Sequence, residues 1–410
     1  MRALEAITVL DLTHMLSGPY AGMLMADMGA RTIKVEPPGR GEGTRRLLEN
    51  DPEHSRLGMG AYFLTLNRNK QSVAIDLKVP EGRALFLRLA EKADVVLNNI
   101  TAGVPERLGI DYAALSAVNP RIITCSLTGF GETGPGRDRA AFDLVAQGMG
   151  GGMSVTGYPD GEPLRAGLPI GDLGGGLFAV IGILAALQAR QVTGRGQHVD
   201  ISMMDGQISL LNYMATMQML SGRNPPRAGN GHFVHVPYNT FRTKTRYLIL
   251  AVLTDDIWTR VVDILAHDDL RDPRYTAQPG RLAAKAELEA RVQAVLETEP
   301  CEHWLPRFEA ARVPCAPVND IAHAMADPQT LARAMKVSVP LMDGTTVDQP
   351  GNPIKLSETH EDCFTPPPAV GEHTAEILTG MLGLSDEDIA RLAGAGIIGG
   401  PVPSPPVRKP

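Results

Sequence analysis

Asp172 stands in the run Leu168-Pro169-Ile170-Gly171-Asp172-Leu173-Gly174-Gly175-Gly176-Leu177, just ahead of an apolar, alanine-rich, proline-free stretch from Phe178 to Arg190. That stretch reads as a buried helix. The Asp172 carboxylate then sits at a helix head, facing unpaired backbone N–H groups and the positive end of the helix dipole, and both favour its ionised form. An ionised, accessible carboxylate can attack an acyl group as a nucleophile. Three glycines just after it remove side chains and admit another molecule's backbone or a thioester. The same residues also read as an Asp helix cap followed by glycines for close packing. Local sequence leaves both readings open.

The elements that must position Asp172 alternate in type. Strand patterns fall at Ile7–Leu12, Thr32–Val35, Ser72–Ile75, Val95–Leu97, Ile122–Leu127 and His198–Ile201, with helical patterns near Pro19–Met28, Glu81–Ala93 and Tyr112–Ala117. Short β-rich runs separated by helices predict an α/β fold with a mostly parallel, doubly wound sheet. Composition changes at Ser221-Gly222-Arg223-Asn224-Pro225-Pro226-Arg227, a linker pattern. Beyond it, Tyr238–Arg242 and Tyr247–Val252 flank a polar turn and predict a hairpin. Helical patterns follow at about Asp256–Ala266, Leu282–Glu297, Cys301–Ala311 and Asp320–Ala326. We read a discontinuous large domain (1–200 and 335–410), a linker segment (201–225) and a smaller α+β domain (226–334). Strand patterns return from Met335 with a turn at Asp343-Gly344. Terminal helices are expected at Ala375–Met381 and Asp386–Leu392, the second opened by the capping sequence from Ser385. The last ten residues, Pro401 to Pro410, read as a disordered tail.

A chain of 410 residues buries a sizeable core. The net charge of −7 argues against nucleic acid as a partner, because neutralising phosphates takes a basic surface. The four cysteines, Cys125, Cys301, Cys315 and Cys363, are widely spaced and form no metal or disulfide framework, which suits a reducing, cytoplasmic setting. The ten histidines form no H-E-x-x-H, and no metal is expected. Met1 to Glu5 leads straight into a strand pattern, so no signal peptide is expected. The longest apolar run, Leu173 to Leu187, falls short of the ~20 residues of a membrane span and reads as a core helix. Gly129-Phe130-Gly131-Glu132-Thr133-Gly134 matches G-x-G-x-x-G but follows the fifth strand, and Pro135-Gly136 interrupt the helix that would hold a pyrophosphate. No NAD site is expected.

Many further pieces, in order, resemble one family. They include Val9-Leu10-Asp11-Leu12-Thr13 with Gly18-Pro19, Gly29 to Pro37, Asn67 to Ser72, Ala93-Asp94-Val95-Val96 and Arg107-Leu108-Gly109. Asn119 to Ile123, Asp143-Leu144-Val145-Ala146-Gln147, Gly171-Asp172, Thr193 to Gln197, Gly371 to Thr374 and Leu382 to Ser385 complete the series. Over nearly its whole length the chain resembles the class III CoA-transferases, the family of formyl-CoA and carnitine CoA-transferases.

The resemblance implies coenzyme A, as an acyl-CoA, and a small carboxylic acid as substrates, with Asp172 as nucleophile and Asp143 helping to position the reacting groups. It places CoA contacts at His14, Met15, Leu16 and Ser17, at Leu66, Asn67 and Lys70, at Asn99 and Ile100, and at Arg107 and Leu108. Lys70 and Arg107 would suit phosphates. Where some members carry a basic residue after the second-strand glutamate, this chain has Pro37 and Pro38, so Arg40, Arg45 or Arg46 are the substitutes. Lid or substrate roles fall to Gly150, Gly151, Gly229, Asn230, Gly231, His235 and Tyr238, with ordinary turn or packing roles as the alternative for each. The family's Rossmann-like large domain is implied too, as is its interlocked homodimer, in which each chain forms a ring threaded through the other. The related α-methylacyl-CoA racemases need a His-Asp pair, which falls here on Phe142-Asp143, and phenylalanine carries no proton. A non-catalytic acyl-CoA binding protein and a CoA hydrolase are the remaining alternatives.

Overall fold

A computed structural model describes residues 2–359 and 363–400. Residues 401–410, read as a tail, lie outside them. The described chain divides into two compact units, one of residues 2–152, 165–220, 332–359 and 363–400, the other of residues 153–164 and 221–331.

The large unit is a mixed α/β fold built on a parallel-dominated sheet. Its strands are β1 (Thr8–Asp11), β2 (Arg31–Glu36), β3 (Lys70–Ile75), β4 (Val95–Asn98), β5 (Ile123–Thr128), β6 (His198–Ser202) and β7 (Ile398–Gly399). They lie in the order β7-β3-β2-β1-β4-β5-β6. The first six pair in parallel, and only β7, short and at the edge, runs antiparallel, against β3. From β3 to β6 this is the doubly wound arrangement whose strand order reverses between β1 and β4. Ligands of such sheets bind outside the carboxyl ends of the strands at that reversal. The first βα turn, Thr13 to Gly18, lacks the glycine fingerprint that holds a dinucleotide there.

Strand periodicity explains the layering. Successive strand residues face opposite sides, so Leu10, Ile33, Val73 and Val96 enter one core while Val9, Val95, Leu97, Ile123 and Cys125 enter the other. The second core is closed by α1 (Ser17–Asp27) and by the long α3 (Ile170–Thr193), through Ala179, Val180, Ile183, Ala186 and Leu187. Between them in the chain lies α2 (Asp143–Met149), and α4 (Met203–Leu211) and α5 (Tyr213–Ser221) follow. Helix α3 contains no proline and ends on Gly194, whose φ of 70° is the left-handed conformation that glycine supplies at a helix end.

The sequence reading took the apolar run as 15 residues of core; the helix is 24 residues. It is long and apolar enough to cross a membrane, with half of its apolar window buried in the chain. The apolar run is shorter because the helix adds residues 170–172 ahead of it and a polar last turn, residues 188–193, behind it.

The small unit holds the expected hairpin, Tyr238–Arg242 against Tyr247–Ala251, with Cys315–Pro317 as a third strand. Its core gathers Trp258, Val261, Leu288, Val292, Trp304 and Phe308. Residues 153–164, which the sequence reading left in the large domain, belong to this unit: the Gly229 N–H donates to the Gly157 carbonyl at 2.9 Å, and Arg227 Nη2 donates to the Gly161 carbonyl at 2.6 Å. The single helix expected over Leu282–Glu297 is two, Gln278–Ala283 and Lys285–Leu296. The turn at Asp343-Gly344 joins Lys336–Pro340 to Thr346–Pro350, and Ser385 and Asp388 form a reciprocal capping box.

Candidate active site

A cleft of about 470 Å³ opens in the large unit where the sheet order reverses. The loop after β1 contributes His14, Met15 and Ser17, and the loop after β4 contributes Asn99 and Ile100. Asp143 and Asp172 complete the expected residues on its wall. The two loops are clamped together: His14 N–H donates to Asn99 Oδ1 at 2.9 Å, and Asn99 Nδ2 donates to the His14 carbonyl at 2.6 Å. The clamp sits beside Met15, whose φ of 65° is a left-handed conformation that a residue with a Cβ adopts only at some cost. Such conformations persist where surrounding contacts impose them.

Asp172 lies in the first turn of α3 but does not cap it. The N-cap is Pro169, which has no side-chain acceptor. Capping comes from α2: Asp143 Oδ1 accepts from Gly171 N–H at 2.8 Å and from Asp172 N–H at 3.3 Å. Gln147 Nε2 donates to the other oxygen of Asp143 at 2.7 Å, and Gln147 Oε1 accepts from Ala166 N–H at 2.9 Å. The position of Gly171 is what lets Asp143 approach, because a Cβ there would lie 3.0 Å from Asp143 Oδ1. Burial, and then the negative charge of Asp143, push the Asp172 carboxyl up to about 6, against a Ser17 hydrogen bond that pulls it down. The sequence reading took the helix head as favouring the ionised form of this carboxylate. Desolvation and a second carboxylate work against that form. At neutral pH Asp172 is still mainly ionised, yet its charge is poorly stabilised.

Of the two readings of the glycines after Asp172, access for a substrate or close packing, the geometry favours packing. A Cβ at Gly176 would sit 2.7 Å from the Ser17 carbonyl, and one at Gly175 would sit 3.3 Å from Met203 Cγ. They let α3 press against α1 and α4, which carries Asp172 to the cleft.

Other expected contacts fall elsewhere. Lys70 is fully buried: its Nζ lies 2.9 Å from Asp11 Oδ2 and donates to the Pro19 carbonyl at 3.0 Å, so it is an internal ion pair and not a phosphate contact. Its place in a strand beneath α1 leaves no path to solvent. Leu66 and Asn67 are buried too, and Asn67 Nδ2 donates to the Phe63 carbonyl at 3.0 Å. Arg45, a substitute for the missing basic residue, is buried on Glu36 at 2.6 Å and donates to the Pro368 carbonyl. Leu16 is the N-cap of α1 and is not on the cleft wall. Arg107 is exposed, and with Leu108 it forms the end of a short helix, Val104–Leu108, off the cleft wall.

Gly150 packs on Gln207, where a Cβ would meet the glutamine's Cβ at 2.3 Å, and Gly151 takes a φ of 86°. Gly229, Asn230, Gly231, His235 and Tyr238 belong to the small unit. There Gly229 takes a φ of 57° beside the Tyr158 ring, Asn230 Nδ2 donates to Thr240 Oγ1 at 2.9 Å, and a Cβ at Gly231 would meet Lys285 Nζ at 2.9 Å. The His232 ring lies 4.8 Å from that of His235 and 5.3 Å from that of Tyr238.

The cleft also holds residues that sequence reasoning missed: Tyr62, Arg137, Arg139 and Arg165. Burial, followed by the charges of Asp172, Asp143 and Glu42, pushes the Tyr62 phenol up, so it stays protonated beside two carboxylates. The pair Arg137 and Arg139, directly after the glycine motif, was the available signal. Among the described residues no group of side chains is arranged to hold a metal ion.

Comparison with known proteins places the chain in a family. The model of CoA-transferase family III matches residues 4–374. A succinate–glutarate CoA-transferase of Agrobacterium fabrum is 39% identical over 92% of this chain and 94% of its own. An acetyl-CoA:oxalate CoA-transferase of Acetobacter aceti is 39% identical over 86% of this chain and 89% of its own. The crystal structure of a CAIB/BAIF family protein from Brucella suis superposes with a TM-score of 0.84 at 35% identity, covering 93% of this chain and 99% of that one. With a family model matching residues 4–374 and likeness of this kind over most of its length, the chain belongs to CoA-transferase family III and is a class III CoA-transferase.

Proposed function

We propose that this enzyme moves CoA from succinyl-CoA to a small carboxylic acid through covalent intermediates on Asp172. The observation that carries this reading is the carboxylate pair on the cleft, Asp172 held beside Asp143 with its pKa raised to about 6. In the first step an Asp172 oxygen attacks the thioester carbonyl, the C–S bond breaks, and a mixed anhydride and CoA thiolate result. The thiolate then attacks the Asp172 acyl carbon, the anhydride C–O bond breaks, and succinate leaves an aspartyl-CoA thioester behind. The acceptor carboxylate reverses both steps. No proton is gained or lost overall, so the site needs no general acid.

Burial and then repulsion from Asp143 raise the Asp172 pKa, and the repulsion assists this sequence. Protonation relieves it, and so does acylation, which removes one of two neighbouring negative charges. Asp143 remains fixed by Gln147 and by the α3 backbone throughout. A racemase reading is disfavoured because Phe142, on the cleft wall where that chemistry uses histidine, carries no proton.

The reading extends to assembly. Leu177, Ile181, Ile208, Leu210 and Tyr213 leave an apolar face of α3, α4 and α5 exposed, with Ile181 at 60%. Apolar faces of this kind mark association surfaces, and we assign this one to a second copy in an interlocked homodimer and not to a membrane. Cysteines free of disulfides suit the cytoplasm.

The test is steady-state transfer from succinyl-CoA to glutarate or oxalate. Formation of the new acyl-CoA without accumulation of free CoA supports the reading. Release of CoA at the same rate without any acceptor would identify a hydrolase instead.

A further inference from the structure

Three arginines line the cleft, and two are already engaged. Arg137 Nη2 lies 3.8 Å from Glu106 and its Nε 3.5 Å from Asp138. Arg139 stacks its guanidinium 4.8 Å over the Phe130 ring. The guanidinium of Arg165 has no hydrogen bond, ion pair or ring contact among the described residues. Its backbone, in contrast, is anchored: the next residue, Ala166, donates its N–H to Gln147 Oε1 at 2.9 Å, and Gln147 also holds Asp143. The cleft thus has an uncompensated cation on a fixed stem, on the segment that runs through Pro169 into the Asp172 helix. Asp143 and Asp172 already supply negative charge to this wall, so an anionic substrate needs a cation there to enter at all. Arginine's planar fork matches a carboxylate with two parallel hydrogen bonds.

We propose that Arg165 binds the second carboxylate of a short dicarboxylic acid, free or as its CoA ester, while the first carboxylate reacts at Asp172. This rests on the reading of Asp172 as the nucleophile. Arg165 is then a specificity residue: it selects dicarboxylates over monocarboxylates of equal length, and Gln147 sets where it stands.

The test compares two donors that differ only in that carboxylate, succinyl-CoA and butyryl-CoA. Formation of the Asp172–CoA adduct is followed by rapid quench and intact-protein mass spectrometry. Because both donors carry the same CoA, any contact of Arg165 with CoA itself cancels in the ratio of the two rates. The wild type is expected to favour succinyl-CoA, and Arg165→Met to lower that ratio about 10- to 100-fold, the worth of a charge-assisted carboxylate contact. Arg165→Lys should restore part of it. An unchanged ratio, equal slowing with both donors, or a wild-type ratio near one each overturns the assignment of Arg165 while leaving Asp172 in place. Absence of any adduct from either donor in the wild type would instead remove the Asp172 reading, and this proposal with it.

Discussion

Asp143 Oδ1 accepts the backbone N–H of Asp172 at 3.3 Å and that of Gly171 at 2.8 Å, so one carboxylate caps the helix that presents the other. The contact has two opposed effects. It satisfies N–H groups left open by Pro169, and it brings a negative charge close enough to raise the Asp172 pKa. Asp143→Asn keeps an acceptor oxygen and removes the charge. The acid limb of kcat/KM, which reports Asp172 in the free enzyme, should move to lower pH in this variant, with a lower plateau rate. Asp143→Ala should in addition cost about 1–2 kcal/mol in urea unfolding, as loss of a helix cap does.

The same pKa fixes how activity and stability depend on pH. Wild-type kcat/KM should fall tenfold per pH unit below about pH 6, as Asp172 takes up a proton. For stability the sign is the reverse of the usual carboxylate case. Between the ordinary value of 3.8 and about 6 the folded state binds the proton and the unfolded state does not, so stability falls as pH rises through that window. Asp172→Asn carries no such penalty. It should be more stable than wild type by about 1–2 kcal/mol at pH 7, after allowance for partial exposure, and lose that advantage by pH 4. Thermal unfolding of both proteins across this range checks it.

Gln147 is a positioning residue in this scheme. It is buried and bridges Asp143 to Ala166. Gln147→Leu strips both partners, and we expect kcat to fall at least tenfold with a smaller change in the KM for acyl-CoA. Unfolding should lose about 1–3 kcal/mol for buried groups left unpaired. A merely structural role would lower Tm without altering the kcat-to-KM split.

Much of this was legible in the sequence, and the exceptions share a cause. Strands β1 to β6 were visible because buried parallel strands are continuous apolar runs, and Asp172 was visible because an apolar helix follows it. What could not be read were pairings between distant residues. Lys70 looked like a free cation, but the fold brings its ammonium to Asp11, 59 residues earlier in the chain and two strands away. The raised pKa of Asp172 comes from burial and then from Asp143, 29 residues away, and local sequence offered only the helix dipole. Between an opening for substrate and close packing at Gly175 and Gly176 the sequence could not decide, because nothing in it says that α1 and α4 occupy that space. Arg165 was unremarkable as a lone charge in a glycine- and proline-rich segment.

The buried Asp11–Lys70 pair gives a prediction of its own. A Cβ at Gly22 would fall 2.6 Å from Asp11 Oδ2, so α1 is packed directly on the pair. Lys70→Met leaves Asp11 charged, buried and without its ammonium partner, and should cost about 3–5 kcal/mol. Asp11→Asn combined with Lys70→Met should recover most of that loss. Denaturant unfolding of the two variants reads the difference. CoA affinity of the folded fraction should stay within about threefold, far from the loss of more than tenfold expected for a phosphate contact.

The central claim is that Asp172 carries the acyl and CoA groups in turn, and trapping reads it most directly. The enzyme is mixed with succinyl-CoA, treated with borohydride, digested and mapped by mass spectrometry. The account predicts reduction of the Asp172 side chain to the alcohol, dependent on succinyl-CoA and absent in Asp172→Asn. An enzyme that turns over succinyl-CoA while Asp172 stays unmodified, or that is modified at another residue, would contradict it.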